Sequence, residues 1–167
     1  MGRRIRRLAD VDYAGPHRYS LTICTYQSAA IFTRAELVSC VCTQILQAAG
    51  ETGYAVTVYT AMPDHFHMLV DGRDATKPLP EFVKRAKQGS GYHGKKIVGR
   101  RIWQRGYYDD VLRPSESTRE YIRYIVMNPV AAGLATDPLE YPFTGSGIHA
   151  PDELRTLIRT CCDLISQ

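Results

Sequence analysis

The stretch from Ala61 to Val70 places two histidines on either side of one phenylalanine, immediately before an apolar run. In a β-strand, side chains alternate between the two faces of the sheet, so His65 and His67 would share one face and Phe66 would lie on the other. The two imidazoles would then lie about 6 to 7 Å apart along the strand, close enough to bind one metal ion. Two polar side chains on a solvated face have the same spacing, so the stretch alone leaves both interpretations open.

The length and composition are those of one globular domain. A chain of 167 residues can bury a core without metals or disulfides. No apolar run approaches the roughly 20 residues that cross a membrane, and the arginine-rich start lacks the apolar segment of a signal peptide. We therefore expect a cytoplasmic, nucleoid-associated protein that binds no membrane. The five cysteines lack zinc-site spacing, so we expect them to be reduced and mostly apolar in role.

The positive charge is concentrated in two segments. The net charge is +4 and the pI is about 8.8. Residues 77–105 contain nine Lys and Arg against one acidic residue, and a second cluster lies within residues 3–7. Such segregation favours a polyanionic partner, because each phosphate that is neutralised releases counterions. A solvated basic face is the other interpretation of the same pattern.

The order of the predicted elements indicates the fold class. The elements lie at residues 19–26 (strand), 33 to 50 or 53 (helix), 54–60 (strand), 65–70 (the histidine strand), 81–88 (helix) and 102–112 (strand). Four glycines between the last two elements predict a mobile basic loop. Strand, helix, two strands, helix, strand predicts an α+β fold, a ferredoxin-like antiparallel sheet with its helices packed on one face.

The segment over residues 114–129 predicts a helix with an apolar face and an aromatic polar face. It begins at Pro114 and Ser115, and it ends at Asn128-Pro129 because the residue before a proline is pushed out of the helical region. The apolar stripe consists of Ile122, Ile125 and Val126. The opposite stripe consists of Tyr121, Tyr124 and Asn128. An ordinary amphipathic helix with surface tyrosines is the other interpretation.

Three blocks of the sequence, taken together, resemble the single-tyrosine HUH transposases, and within them the transposases associated with repetitive extragenic palindromes (REP). The blocks are MPDHFHMLV at residues 62–70, IWQRGYYD at residues 102–109 and YIRYIVMNPVAAGL at residues 121–134. YPFTGS at residues 141–146 is similar to the closing strap of that family, whereas residues 27–30 and the terminal helix match it poorly. The resemblance implies one HUH domain over residues 1–167, with a basic arm at residues 1–16 and an amphipathic helix at residues 152–166.

The resemblance implies an enzyme that cleaves and rejoins single-stranded DNA through a 5′-phosphotyrosine intermediate. His65, His67 and Asn128 would hold Mg²⁺ or Mn²⁺ against the scissile phosphate, and Tyr124 would be the nucleophile. Tyr121 lies on the same helix face, but the position one turn before Asn128 favours Tyr124. We expect the two histidine rings within about 5 Å of each other, beside an open groove lined by basic residues.

Single-stranded or hairpin DNA is the predicted partner. The predicted DNA contacts are Arg3, Arg4, Arg6, Arg7, Lys84, Arg85, Lys87, Lys95, Lys96, Arg100, Arg101 and Arg105. Tyr92 and Tyr107 are predicted to stack on unpaired bases, and Trp103 to lie in the core.

Other classes of protein share parts of this pattern. One alternative is a domesticated, non-cutting DNA-binding protein of the same fold, and another is an RNA-binding ferredoxin-like module. The paired histidines with a tyrosine and an asparagine one turn apart favour the enzyme, since RNA-binding modules have no use for them. The protein would act as a monomer or a homodimer, and Tyr124 would serve the histidines of its own chain or of a neighbour.

Overall fold

The structure is a computed structural model that describes residues 17–113 and 116–162. In this part of the chain, the strands are β1 (Arg18–Cys24), β2 (Ala55–Met62), β3 (His65–Asp71), β4 (Tyr108–Val111) and β5 (Thr144–Gly145). The helices are α1 (Ala35–Thr52), α2 (Leu79–Val98), α3 (Thr118–Ala131) and α4 (Pro151–Cys162). The predicted basic arm, the predicted helix start at Pro114 and Ser115, and the end of the terminal helix lie outside the described residues.

The strands of the described chain form one antiparallel sheet in the order β4-β1-β3-β2-β5. β3 lies at its centre and pairs along its length with β1 on one side and β2 on the other. The predicted fold class, an α+β ferredoxin-like antiparallel sheet, is confirmed. The histidines therefore begin the central strand.

Hydrophobic clusters lie on both faces of the sheet. Because side chains alternate along β3, Phe66, Met68 and Val70 pack against α1 and α2. Leu69 points to the other face and packs with Val58 against α3 and α4. The prediction of helices on one face therefore holds for α1 and α2 only, because α3 and α4 cover part of the face that carries the histidines.

α2 is much longer than predicted, and the prediction of a mobile basic loop after residue 88 is wrong. The helix continues to Val98 and ends at Gly99, whose φ of 74° suits a left-handed C-cap. Gly94 is buried inside the helix, and a Cβ there would lie 3.1 Å from Ile102 and 3.2 Å from Leu37. Glycine thus allows α2 to approach α1 and the following segment closely.

The predicted helix end at Asn128-Pro129 is also wrong. α3 continues to Ala131 with Pro129 buried inside its last turn. A proline there removes one backbone donor, and the Asn128 Nδ2 atom donates to the Tyr124 carbonyl oxygen at 2.9 Å. The last turn is therefore held by packing and by a side-chain hydrogen bond.

The segment between α2 and β4 packs into the core instead of extending the strand. β4 has four residues, against the predicted strand over residues 102–112. Trp103 is buried, as predicted, and its Nε1 atom donates to the Ser90 Oγ atom at 2.8 Å. A single bridge to Thr25 links this segment to the end of β1.

The cysteines and the helices of the described chain bear on the predictions made from composition. Every cysteine of the chain lies in the described part, and the structure has no disulfide among them. Within residues 17–113 and 116–162, none of the helices has the length and apolarity that crossing a bilayer requires.

Candidate active site

β3 places His65 and His67 side by side on one face of the sheet, here called the histidine face. Their ring centroids lie 4.6 Å apart. The predicted proximity of the two rings is therefore confirmed. In the register of the sheet, His67 lies between Thr22 of β1 and Thr60 of β2, and His65 lies opposite Cys24.

Each histidine ring is fixed through its Nδ1 atom. The His67 Nδ1 atom lies 2.8 Å from the Thr22 Oγ1 atom, and the His65 Nδ1 atom lies 2.6 Å from the Asp64 Oδ1 atom. When Nδ1 carries the hydrogen and donates it, Nε2 keeps a free lone pair. Histidines that bind metals commonly have this second hydrogen bond, which sets both the tautomer and the direction of the ring.

The electrostatic environment keeps His67 neutral. Burial, followed by the charge of His65, lowers the pKa of His67 to about 4. A neutral imidazole at pH 7 is the form that coordinates a metal. Among the described residues, no group of three His, Cys, Asp or Glu side chains is arranged to hold a metal ion. The two imidazoles can supply two ligands of a divalent metal, and a metal ion at this pair stays a prediction.

α3 brings Tyr124 to the histidines of its own chain. The apolar stripe of α3 is buried, which directs the other side of the helix outward. The Tyr124 side chain is 61% exposed, and its ring centroid lies 5.8 Å from that of His67 in an edge-to-face contact. A phenol hydroxyl that is open to solvent thus stands beside the histidine pair.

Tyr121 lies almost one turn earlier on α3 and is held in place. Its hydroxyl donates to the Asp110 Oδ2 atom at 3.0 Å. Burial, followed by this carboxylate, raises the pKa of Tyr121 to about 12. The phenol therefore stays protonated at neutral pH and ties α3 to β4.

Asn128 lies along the side of α3, in a groove with Arg123, Met127 and Ala131. Its amide nitrogen donates to the Tyr124 carbonyl oxygen. The structure thus brings His65, His67 and Tyr124 together, while the role of Asn128 as a metal ligand stays a prediction.

An open cavity of about 600 Å³ lies between the sheet and α3. It is lined by Ser20, Thr22, His67, Tyr108, Asp109, Asp110, Glu120, Tyr121 and Tyr124. Three of these described residues are acidic and none is Lys or Arg, so the prediction of a basic lining is wrong. The reason is that the basic residues lie mainly on α2 and the segment after it, and α2 covers the opposite face of the sheet. The acidic residues beside His67 give this cavity a lining that suits a cation better than an anion.

A known family matches most of the chain. The family described as "Transposase IS200 like" matches residues 15–126. The chain belongs to this family. Transposase is therefore the class of its function, and the predicted family relationship is confirmed.

Solved structures share the fold of this IS200-like transposase. A REP-associated tyrosine transposase, solved with a REP hairpin bound, superposes with a TM-score of 0.67 and 16% identity over 86% of this chain and 82% of that chain. A putative transposase from Deinococcus radiodurans R1 superposes with a TM-score of 0.50 and 23% identity over 66% of this chain and 88% of that chain. No curated protein matches the transposase.

Most of the predicted DNA contacts of the transposase that the structure describes are exposed, and some of them also have partners within the chain. Lys84 and Arg85 form ion pairs with Glu81, and the Lys87 Nζ atom donates to the Gln104 carbonyl oxygen. The exposed members are Lys84, Arg85, Lys95, Lys96, Arg100, Arg101 and Arg105. Arg3, Arg4, Arg6 and Arg7 lie outside the described residues.

The aromatic residues that were predicted to stack on bases differ in exposure. Tyr92 is 62% exposed, which leaves its ring available to a base. Tyr107 is buried at 9% exposure, so the prediction that it stacks on bases is wrong. Its place in the core follows from the segment after α2, which packs inward instead of running as a strand.

Several residues of the site were not predicted from the sequence. They are Thr22 and Asp64, which fix the histidine rings, and Asp109, Asp110 and Glu120, which make the cavity acidic. Asp64 directly precedes His65, and Thr22 lies at a polar position of an alternating strand, so both carried a signal. The pairing register of β1 with β3, which brings Thr22 to His67, cannot be read from a single sequence.

Proposed function

We propose that this transposase cleaves and rejoins single-stranded DNA through a covalent bond between Tyr124 and a 5′-phosphate. The observation that supports this proposal best is the position of Tyr124, whose ring lies 5.8 Å from His67 within one chain. The tyrosine and the histidine pair come from α3 and β3, so both are carried by regular elements and not by loops. An active site formed within one chain is therefore the arrangement we propose.

The histidine pair would hold Mg²⁺ or Mn²⁺ through the two Nε2 atoms, with Asn128 as a further ligand. Bound there, the ion would polarise a non-bridging oxygen of the scissile phosphate and offset its charge. Thr22 and Asp64 would keep the two rings in the orientation that binding requires. The acidic residues that line the cavity would disfavour a phosphate that arrives without a cation, which supports a requirement for the metal.

Tyr124 would act as the nucleophile. Its hydroxyl loses the proton, its oxygen forms a bond to phosphorus, and the bond from phosphorus to the 3′-oxygen breaks to leave a 3′-hydroxyl. A phenolate is a better leaving group than a sugar alkoxide, so a second 3′-hydroxyl can attack the phosphotyrosine and reseal the strand without ATP. Tyr121 is not suited to this role, because its hydroxyl is committed to Asp110.

The substrate we propose is a palindromic or hairpin DNA end with an unpaired flank. The proposal is supported by the fold shared with a REP-associated tyrosine transposase that was solved with a REP hairpin. It is also supported by the exposed cations of α2 and the following segment, which can neutralise phosphates. Such a substrate places the protein with the nucleoid in the cytoplasm.

A covalent adduct tests the proposal. The protein is incubated with a pool of end-labelled hairpins that carry randomised single-stranded flanks, with Mn²⁺ or with EDTA, and is then run on a denaturing gel. We expect a labelled protein band with Mn²⁺ that is absent with EDTA, and sequencing of the bound DNA to give the cleavage site. Binding of the hairpins without any adduct would instead indicate a non-cutting DNA-binding protein.

A further inference from the structure

The segment that leaves β1 beside the histidine pair has a strained backbone. Gln27 and Ser28 have φ values of 56° and 51°, in the left-handed region that residues other than glycine rarely adopt. Two such residues in succession persist only where the surrounding structure holds them. Strain of this kind is concentrated at ligand-binding sites, where it fixes a side chain in place before the ligand arrives.

Hydrogen bonds hold this segment against the start of β3. The Thr25 nitrogen donates to the Asp64 carbonyl oxygen at 2.9 Å, and the Thr25 Oγ1 atom lies 2.9 Å from both the Asp64 and the Ala29 carbonyl oxygens. The Tyr26 nitrogen donates to the Ile102 carbonyl oxygen at 2.7 Å. Tyr26 follows by two residues Cys24, the register partner of His65. Tyr26 therefore begins the turn just beyond the end of β1 that pairs with His65.

The strained turn presents the Tyr26 ring at the surface beside a fixed guanidinium. The Tyr26 side chain is 40% exposed, and the Arg101 guanidinium carbon lies 4.9 Å from its ring centroid. The Arg101 Nε atom donates to the Trp103 carbonyl oxygen at 2.7 Å. Because Trp103 is itself buried, the guanidinium is attached to a rigid part of the core.

We propose that Tyr26 and Arg101 form a stacking platform for an unpaired base of the single-stranded DNA that flanks the scissile phosphate. Aromatic rings and guanidinium planes both stack on bases, and arginine also pairs with the phosphate. The platform rests on the proposed function to the extent that the DNA must reach the histidine pair. A surface cation–π pair with a stabilising role alone is the competing explanation.

The experiment separates binding to bases from binding to phosphates. Oligo(dT) and an abasic strand of equal length are titrated by fluorescence anisotropy into Tyr124→Phe protein, which carries no nucleophile. We expect Tyr26→Leu to weaken the binding of oligo(dT) by about 5-fold or more, and of the abasic strand by less than about 2-fold. We expect Tyr26→Phe, which keeps the aromatic ring, to bind both strands as the parent does. Equal binding of oligo(dT) by Tyr26→Leu and the parent would overturn the platform.

A second measurement needs no substitution at Tyr26 and does not depend on how that variant folds. The parent protein is irradiated with an oligonucleotide that contains 5-iodouracil, and the cross-linked peptides are identified by mass spectrometry. We expect a cross-link at Tyr26, whereas cross-links confined to other peptides would contradict the platform. Neither measurement requires cleavage, so the platform can fail while Tyr124 still forms its adduct, and it can hold if no adduct forms.

Discussion

Thr22 and Asp64 give the histidine pair a defined orientation. An imidazole ring can rotate and can carry its hydrogen on either nitrogen, so two neighbouring histidines are not in themselves a metal site. Here each Nδ1 atom has an oxygen partner within 2.8 Å. When each Nδ1 atom carries the hydrogen, both Nε2 atoms are left as acceptors, and burial lowers the pKa of His67 so that its ring stays neutral. The hydrogen bonds to Nδ1 are therefore as much a part of the proposed site as the rings.

Removal of the Thr22 hydroxyl tests this role. Thr22→Val keeps the shape of the side chain but leaves the His67 Nδ1 atom without its partner, so we expect the affinity for Mn²⁺ to fall by about 10-fold or more. Isothermal titration calorimetry measures the change. Thr60→Val is the matched control, because Thr60 flanks His67 from β2 but its hydroxyl lies 3.0 Å from the Thr144 hydroxyl oxygen instead. The same affinity for Mn²⁺ in Thr22→Val and the parent would show that the Thr22 hydroxyl does not orient His67 for metal binding.

The nucleophile is tested by the removal of one oxygen atom. We expect Tyr124→Phe to abolish the covalent adduct while DNA binding stays within a few-fold, because the ring and its contact with His67 remain. Tyr121→Phe should keep the adduct and lose about 1 kcal/mol of stability, since its hydroxyl bonds to Asp110. A denaturing gel measures the covalent adduct, and a urea titration measures the free energy of unfolding. If Tyr124→Phe cleaved DNA and Tyr121→Phe did not, Tyr121 would be the nucleophile instead of Tyr124.

At the scale of residues, the sequence predicted the positions of the two histidine rings but not the side chains that contact them. The period of two in β3 predicts that His65 and His67 share a face, and the period of α3 predicts that Tyr124 lies opposite the buried stripe. The partners of the rings depend on strand register and on the turn before His65, which are set by tertiary packing. The prediction of a basic groove was wrong because a cluster of charge in the sequence does not show which face of the sheet the charged residues will cover.

At the scale of elements, the position of α3 decides whether Tyr124 reaches the histidines. Arg18 connects the start of α3 to the sheet, because its Nε atom donates to the Asp71 Oδ2 atom at 3.1 Å and its NH1 atom donates to the Thr118 Oγ1 atom at 2.6 Å. One turn later, Tyr121 connects α3 to β4 through Asp110. These two contacts fix the helix on the side of the cavity, so the proposed nucleophile is held by more than its own packing.

The attachment of α3 to the sheet through Arg18 depends on pH, because Arg18 binds the carboxylate of Asp71. Burial raises the pKa of Asp71, but hydrogen bonds from Arg73 and Arg18 outweigh it and lower the pKa overall. The native carboxylate thus binds a proton less readily than the unfolded one, so its stabilising effect is present above about pH 4 and is lost as the pH falls through the lowered pKa. We expect Asp71→Asn to lower the free energy of unfolding at pH 7 by about 2 kcal/mol.

Urea unfolding of parent and variant at neutral and acidic pH measures this effect. The difference between Asp71→Asn and the parent should shrink at acidic pH, where the carboxylate of the parent is also protonated. Asp74→Asn is the control, since this nearby side chain is exposed and should change stability little. A difference of the same size at both pH values would show that the charge of Asp71 is not what stabilises the attachment.

The order of the elements could be predicted from the sequence, whereas several of their ends could not. Apolar periodicity and turn residues gave β1 to β3 and α1 closely. Gly89, Gly91 and Gly94 were interpreted as helix breakers, but tertiary packing overrides that propensity because Gly94 meets Ile102 and Leu37. Pro129 was interpreted as a helix end, but it lies in a last turn that is held by burial.

At the scale of the whole molecule, the cations predicted to contact DNA lie apart from the acidic cavity. The described members of that set lie on α2 and on the segments beside it, whereas Asp109, Asp110 and Glu120 line the cavity on the other face. DNA that binds the cations must therefore pass around the edge of the sheet to reach Tyr124. Arg101 belongs to the exposed cations and contacts Tyr26, which lies near the His65 end of β3. The stacking platform is thus well placed to guide a single strand between the two regions.

The salt dependence of DNA binding tests whether the exposed cations bind phosphate. Each phosphate contact on a single strand contributes about 0.7 to the slope of log affinity against log salt, so replacing Lys95, Lys96, Arg100 and Arg101 by Gln should reduce the slope by up to about 3. Fluorescence anisotropy with a tailed hairpin over a range of KCl concentrations measures the slope.

Lys84 and Arg85 provide a structural control, because their ion pairs already neutralise part of their charge. Their joint replacement by Gln should therefore change the slope by less than about 1. An unchanged slope in the fourfold variant would place the DNA on another surface, and the route past Tyr26 would then have to be abandoned.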